Sequence, residues 1–193
     1  VPGIDAIWNQ IWPGKENDYP KQPSSVAHVY GKPRVFSESF AAYYTSPSIP
    51  EAKFVIDYQI ARGINFFEFM FWPSKSKQKT WMSDPNMKNL NDYTNRTTYL
   101  LTQGKPGARI AVYYPIATMW QGNDQVYKDI VTISHQLLQH QRDFDYLNED
   151  AFFEAIKVGP GYLENKSGQR YYTLIIPSTD IISSSAWNII NEF

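Results

Sequence analysis

Glu38 lies in the run Lys32-Pro33-Arg34-Val35-Phe36-Ser37-Glu38-Ser39-Phe40, between two serines at the end of a short segment of β type. A carboxylate delivered to the carboxyl end of a buried parallel strand can move a proton to or from a substrate held above the sheet. The composition around it is rich in rings, with 16% Phe, Trp and Tyr, including 6 Trp and 14 Tyr. Sugars offer apolar C–H faces to such rings and hydroxyls to the polar groups around them, so carbohydrate cleavage is the chemistry this acid fits. The competing role is a strand-end carboxylate bonded to backbone or paired with Arg34.

Six further residues extend the candidate site. Asp5, in the first strand candidate, can bind a sugar hydroxyl or orient an acid, and serves equally well as a local turn acceptor. Trp8 and Trp12 flank Gln10 and together suit a stacking wall, with Gln10 as the polar contact; a separation of four is also core spacing on a helix. His28 follows Ser-Ser-Val-Ala, where an imidazole facing a cleft donates to a sugar oxygen and a helix-face imidazole is satisfied by its surroundings. Glu68 and Trp72 share one strand candidate, giving a carboxylate and a ring platform if its end opens on the site, or packing against the following loop if it does not.

Other chemistries find little support. His28 is remote from His135 and His140, those two are not at same-face helical spacing, and no Asp-rich loop has calcium spacing, so spacing assigns no metal site. Gly159-Pro160-Gly161 is too short and too constrained for a phosphate cradle. There is no cysteine, which excludes thiolate chemistry and leaves the compartment open. Eighteen basic and nineteen acidic side chains give a net charge of -1 without a dense basic block, which argues against nucleic acid as a partner. The longest apolar runs are far short of the roughly 18 residues that span a bilayer, so no membrane is expected.

The elements that must position these residues follow from the hydrophobic pattern. With 193 residues, 42% of them hydrophobic and 19% charged, the chain can bury a sizeable core. Gly3 to Trp8, Arg34 to Phe36 and Ile64 to Trp72 are strand candidates, the last so apolar that both faces are expected to be covered. Between the second and third, Ile49-Pro50-Glu51 opens a helix that Arg62-Gly63 stops, making a βαβ unit. The polar stretch 73–89 is read as a connection, with the boundary after Trp81 dividing a region 1–81 from a region 82–193.

Past that boundary, a helix over 90–101, a strand over 108–115, an amphipathic helix over 124–142 capped by Asn123 or Asp124, a short strand at Asp143 to Tyr146 and a strand over 171–177 suggest a second, doubly wound α/β unit. The fold class is therefore α/β. The chain begins at Val1 and ends within an unfinished pattern at Trp187 to Phe193, which leads us to expect a piece of a longer protein.

The combination Gly3-Ile4-Asp5, Gln10-Ile11-Trp12-Pro13-Gly14, Ser24-Ser25-Val26-Ala27-His28, Tyr30-Gly31-Lys32, Ser37-Glu38-Ser39-Phe40 and Arg62-Gly63-Ile64-Asn65 resembles the bacterial α-L-rhamnosidases of glycoside hydrolase family 106. Asn95-Arg96, Tyr99-Leu100-Leu101, Gly104 and the strand ending at Tyr114-Pro115 extend the resemblance over most of the chain. It implies the last strands of a (β/α)8 barrel followed by the start of a flavodoxin-like α/β domain, and removal of terminal α-L-rhamnose with inversion by two carboxylates. Glu38 would be the base, and the other carboxylate would lie outside this chain, so that the fragment alone is expected to be inactive. Calcium is implied by the family alone, as is a periplasmic or extracellular setting.

Two alternatives stay open: a non-catalytic carbohydrate-binding or structural domain, and a β-galactosidase-like glycosidase. A half barrel would leave an unpaired strand edge, so self-association is expected.

Overall fold

The computed structural model describes residues 3–4, 19–40, 47–69 and 85–193. They fall into two compact units, one formed by Val1–Pro23 with Arg34–Gly104 and the other by Ser24–Pro33 with Lys105–Phe193. The expected boundary after Trp81 lies inside the first of these units, because the helix that follows it packs there.

The first unit holds a three-stranded parallel sheet of β1 (Gly3–Ile4), β2 (Phe36–Ser39) and β3 (Phe66–Phe69), in that order. Between β2 and β3 runs α2 (Ile49–Ile60), completing the expected βαβ unit. Its start is written locally. Ser48 Oγ accepts from Glu51 N at 3.4 Å while the Glu51 carboxylate accepts from Ser48 N at 2.7 Å, a reciprocal cap, and Pro50 occupies the first turn where no donor is needed. It ends where Gly63 adopts φ 96°, a left-handed conformation that turns the chain toward β3.

The core of this unit is Phe40, Ala52, Val55, Ile56 and Leu90, with Phe67 and Phe69 packed against it. Leu90 belongs to α3 (Pro85–Leu101), five residues longer at its start than the expected 90–101. Pro85 suits a first helical turn, and Met87, Leu90 and Thr94 then continue one face.

The second unit takes Ser24–Val29 from α1 (Lys21–Val29) and builds a parallel sheet in the order β5-β4-β9, from β4 (Ile110–Tyr113), β5 (Phe144–Leu147) and β9 (Thr173–Ile175). Around it lie α4 (Ile116–Trp120), α5 (Asp124–Gln139), α6 (Glu149–Glu154) and α7 (Ser184–Glu192). Asn123 caps α5 by accepting from Gln125 N at 3.1 Å, and Val126, Ile130 and Ser134 form its buried stripe. An antiparallel sheet of β6 (Lys157–Gly159), β7 (Tyr162–Glu164) and β8 (Arg170–Tyr171) completes the unit, its first turn being Pro160-Gly161.

Two sequence expectations need correction. The run 171–177 is not one strand: Tyr171 pairs in the antiparallel sheet and Thr173 opens β9, because Tyr171 turns its ring into the core while Tyr172 N bonds Arg109 O at 2.8 Å. The apolar run through β3 is not covered on both sides among the described residues, since Phe66 and Glu68 are exposed and only the Phe67 and Phe69 face packs on the core.

Candidate active site

Side chains alternate across a strand, so β2 sends Ser37 and Ser39 to the helix side and Phe36 and Glu38 to the other. The helix-side serines are fully buried yet satisfied: Ser37 Oγ lies 3.1 Å from Ser39 Oγ and bonds Gln59 of α2, whose Nε2 donates to Ser39 at 3.0 Å. This neutral network holds Ser37 and Ser39 toward α2 and thereby turns Glu38 to the opposite face. Asn65 joins the strand starts by accepting from Val35 N at 2.7 Å.

The opposite face carries Phe36 and Glu38. Register pairs Phe36 with Phe66 and Glu38 with Glu68 across adjacent parallel strands. The two rings meet at 5.7 Å, and the Arg34 guanidinium stands 5.7 Å from the Phe66 ring centroid rather than against Glu38. One pleat step further toward the carboxyl ends, the two carboxylates stand side by side on backbones about 4.8 Å apart. Among the described residues neither makes a hydrogen bond or an ion pair. Just beyond, Phe40 has φ 74°, a strained conformation for a bulky residue, held by burial of its ring edge-on against Phe69 at 5.5 Å. The strand thus ends abruptly after its acid.

His28 belongs to the second unit, where its Nδ1 lies 2.8 Å from the fully buried Asp145. Gln169 Nε2 and Tyr171 OH donate to the other carboxylate oxygen at 2.9 and 3.0 Å, and Asn165 Nδ2 donates to the Tyr171 oxygen at 2.9 Å. Burial, reinforced by the Asp145 charge, pushes the Tyr171 hydroxyl far above its ordinary range. Tyr113 is raised likewise by burial and by Glu149, whose carboxylate also accepts from Ile116 N and Ala117 N at 3.3 Å and so caps α4.

Of the residues proposed from sequence, Glu38 and Glu68 come together, His28 is engaged with Asp145, and Asp5, Gln10, Trp12 and Trp72 lie outside the described residues. Gln59, Asp145 and Glu149 were not anticipated. Gln59 was findable as a polar residue on the apolar face of α2, in phase with Ala52 and Ile56; the other two depend on partners far away in sequence. Two adjacent carboxylates offer at most four oxygens, short of the six to eight that calcium takes. No group of three or more His, Cys, Asp or Glu converges among the described residues, so they do not form a calcium site by themselves. No described helix is long and apolar enough to cross a membrane.

Comparison with known proteins bears on this geometry. The model of the glycoside hydrolase family described as alpha-L-rhamnosidase matches residues 4–193. A solved rhamnosidase from Novosphingobium sp. PP1Y is similar in fold at TM-score 0.65 and 20% identity, over 92% of this chain and 18% of that one. The chain therefore spans about a fifth of that relative. No curated protein matches in sequence.

Proposed function

Because the chain belongs to the α-L-rhamnosidase family of glycoside hydrolases, we propose that it is part of an enzyme that removes terminal α-L-rhamnose from glycans with inversion, with Glu38 as the base. The observation that carries this reading is the pair Glu38 and Glu68, without a partner among the described residues, at the carboxyl ends of neighbouring parallel strands on the sheet face opposite α2. In a (β/α)8 barrel the helices lie outside, so that face is the interior and those strand ends form the mouth where substrates bind. The first unit then supplies late strands of such a barrel, and the second opens an accessory α/β domain.

The spacing divides the roles. Inversion needs acid and base about 6.5–9.5 Å apart so that a water fits between base and sugar. Side chains leaving backbones about 4.8 Å apart are close for that task, so the acid belongs to a strand further round the barrel, outside this chain. Glu38 takes a proton from water as its oxygen bonds the anomeric carbon, and the acid gives a proton to the departing glycosidic oxygen as that bond breaks. Glu68 accepts from a sugar hydroxyl and holds the ring in place. A periplasmic or extracellular setting goes with such a substrate.

The test is Glu38→Gln in the longer protein that carries this segment, assayed on an aryl α-L-rhamnoside. Turnover is expected to fall about 10³-fold, with Glu68→Gln acting more on KM. Rates equal to wild type for Glu38→Gln remove the catalytic assignment and leave a carbohydrate-binding or structural piece.

A further inference from the structure

Two tyrosine rings lie between two arginines along one strip of the second unit. The Arg109 guanidinium carbon lies 4.5 Å from the Tyr172 ring centroid, the Tyr172 and Tyr162 rings are 6.2 Å apart, and Arg170 lies 4.2 Å over Tyr162. The Tyr162 ring rests on the backbone of Gly159, where a Cβ would come within 2.3 Å of it. The strip is thus built on a fixed floor.

At its Arg109 end a cleft of about 440 Å³ opens along the amino ends of β4, β5 and β9, lined by Arg109, Arg142, Asp143 and Tyr172 among others. That volume falls within the range of small-ligand pockets.

The cations in the cleft are available. Arg170 is engaged with Glu164 at 2.7 Å, whereas among the described residues neither Arg109 nor Arg142 has a carboxylate partner. Asp143 turns one oxygen back on Phe144 N at 2.9 Å. A guanidinium stacked on a ring keeps its N–H edge free and loses little freedom when it binds a planar anion. The half-exposed Tyr172 adds an apolar surface with a hydroxyl, which suits a sugar ring.

We propose that this cleft binds an anionic sugar unit, a carboxylate or sulfate borne on a glycan, through Arg109 and Arg142 with Tyr172 as platform. The choice of carbohydrate rests on the glycosidase reading; the anionic charge rests on the two arginines alone. A nucleic acid is disfavoured because the basic surface is short, is broken by Asp143 and Glu164, and belongs to a chain of net charge -1.

Calorimetric titration of the 193-residue chain with a galacturonate oligomer, a sulfated oligosaccharide, a neutral glucan oligomer and a single-stranded oligonucleotide tests this. Saturable binding of either acidic sugar supports the proposal and identifies the anion by which of the two binds. Arg109→Gln and Arg142→Gln should each weaken binding about tenfold, added salt should weaken it further, and Arg96→Gln should leave it unchanged. The proposal falls if neither acidic sugar binds, if the neutral glucan or the oligonucleotide binds as well, or if both arginine variants match wild type while their circular dichroism shows a folded chain. The readout needs no turnover, so its failure leaves the Glu38 reading intact, and loss of the Glu38 reading would leave a glycan-binding cleft.

Discussion

Glu38 in β2 and Asp145 in β5 are both acids on four-residue parallel strands, and their surroundings are opposite. Asp145 points into the second unit, is fully buried, and receives His28, Gln169 and Tyr171 on its two oxygens. Glu38 points away from its helix and has no partner among the described residues, while the polar groups buried beneath it, Ser37, Ser39 and Gln59, are neutral and satisfy one another. A buried charge must be surrounded by donors or it destabilises the fold. A carboxylate left on the open face keeps its lone pairs for a substrate. Which face of the pleat an acid occupies therefore decides whether the fold uses up its lone pairs or leaves them open.

The sharpest break of this comparison is to remove each acid in turn. Asp145→Ala takes away a buried acceptor of three donors and should destabilise the second unit by about 3–5 kcal/mol, whereas Glu38→Gln should change stability by no more than about 0.5 kcal/mol. Urea unfolding, followed by hydrogen-exchange mass spectrometry on peptides from β4 and β5 against β2 and β3, separates the two. Equal losses from the two substitutions would abolish the distinction.

Much of the architecture is legible in the chain because its signals are local. Ser48 and Glu51 with Pro50 announce the start of α2, the stripe Val126, Ile130 and Leu137 announces α5, and the βαβ order follows from apolar runs separated by capped helices. What is not legible depends on distance. His28 and Asp145 are 117 positions apart, so a helix-face histidine cannot be told from a ligand until its partner is known. The same holds for Ser24–Pro33, which folds with residues after Lys105. Glu38 could be singled out from its place at a strand end, but its pairing with Glu68 is a matter of register between β2 and β3, which no periodicity displays.

Alkali should act on the second unit first. Burial raises Tyr171 and Tyr113 well above an ordinary phenol, so both stay protonated in the folded state when the unfolded chain would release those protons. Their contribution is complete below the unfolded value of about 10 and is lost as pH rises above it, at up to about 1.4 kcal/mol per pH unit for each group. In the first unit Lys53 is also raised, by its bond to Asp57, but that pair is at the surface and screened. A near-ultraviolet titration should show tyrosines that ionise only on cooperative unfolding, and Tyr171→Phe should reduce the hidden absorbance. Smooth ionisation of all 14 tyrosines before unfolding would contradict the buried network.

The smallest effect expected is at the acid side of the first unit, and its sign is opposite. Bonds from the Ser48 side chain and backbone lower the Glu51 pKa, so this group favours folding above the unfolded carboxylate value of about 4.3, and that contribution is lost as pH falls through the lower folded value. Ser48→Ala removes both the cap on Glu51 N and one donor to the Glu51 carboxylate. It should cost about 1 kcal/mol at neutral pH and flatten the acid limb of the stability curve for β2 and β3 peptides, leaving β4 and β5 unchanged. Because α2 carries Gln59, which holds the serines beside Glu38, the same variant in the longer protein should, on the function proposed above, leave KM for an aryl rhamnoside intact so long as the helix remains folded. A large KM change with full exchange protection of α2 would show that Ser48 touches substrate rather than only the helix start.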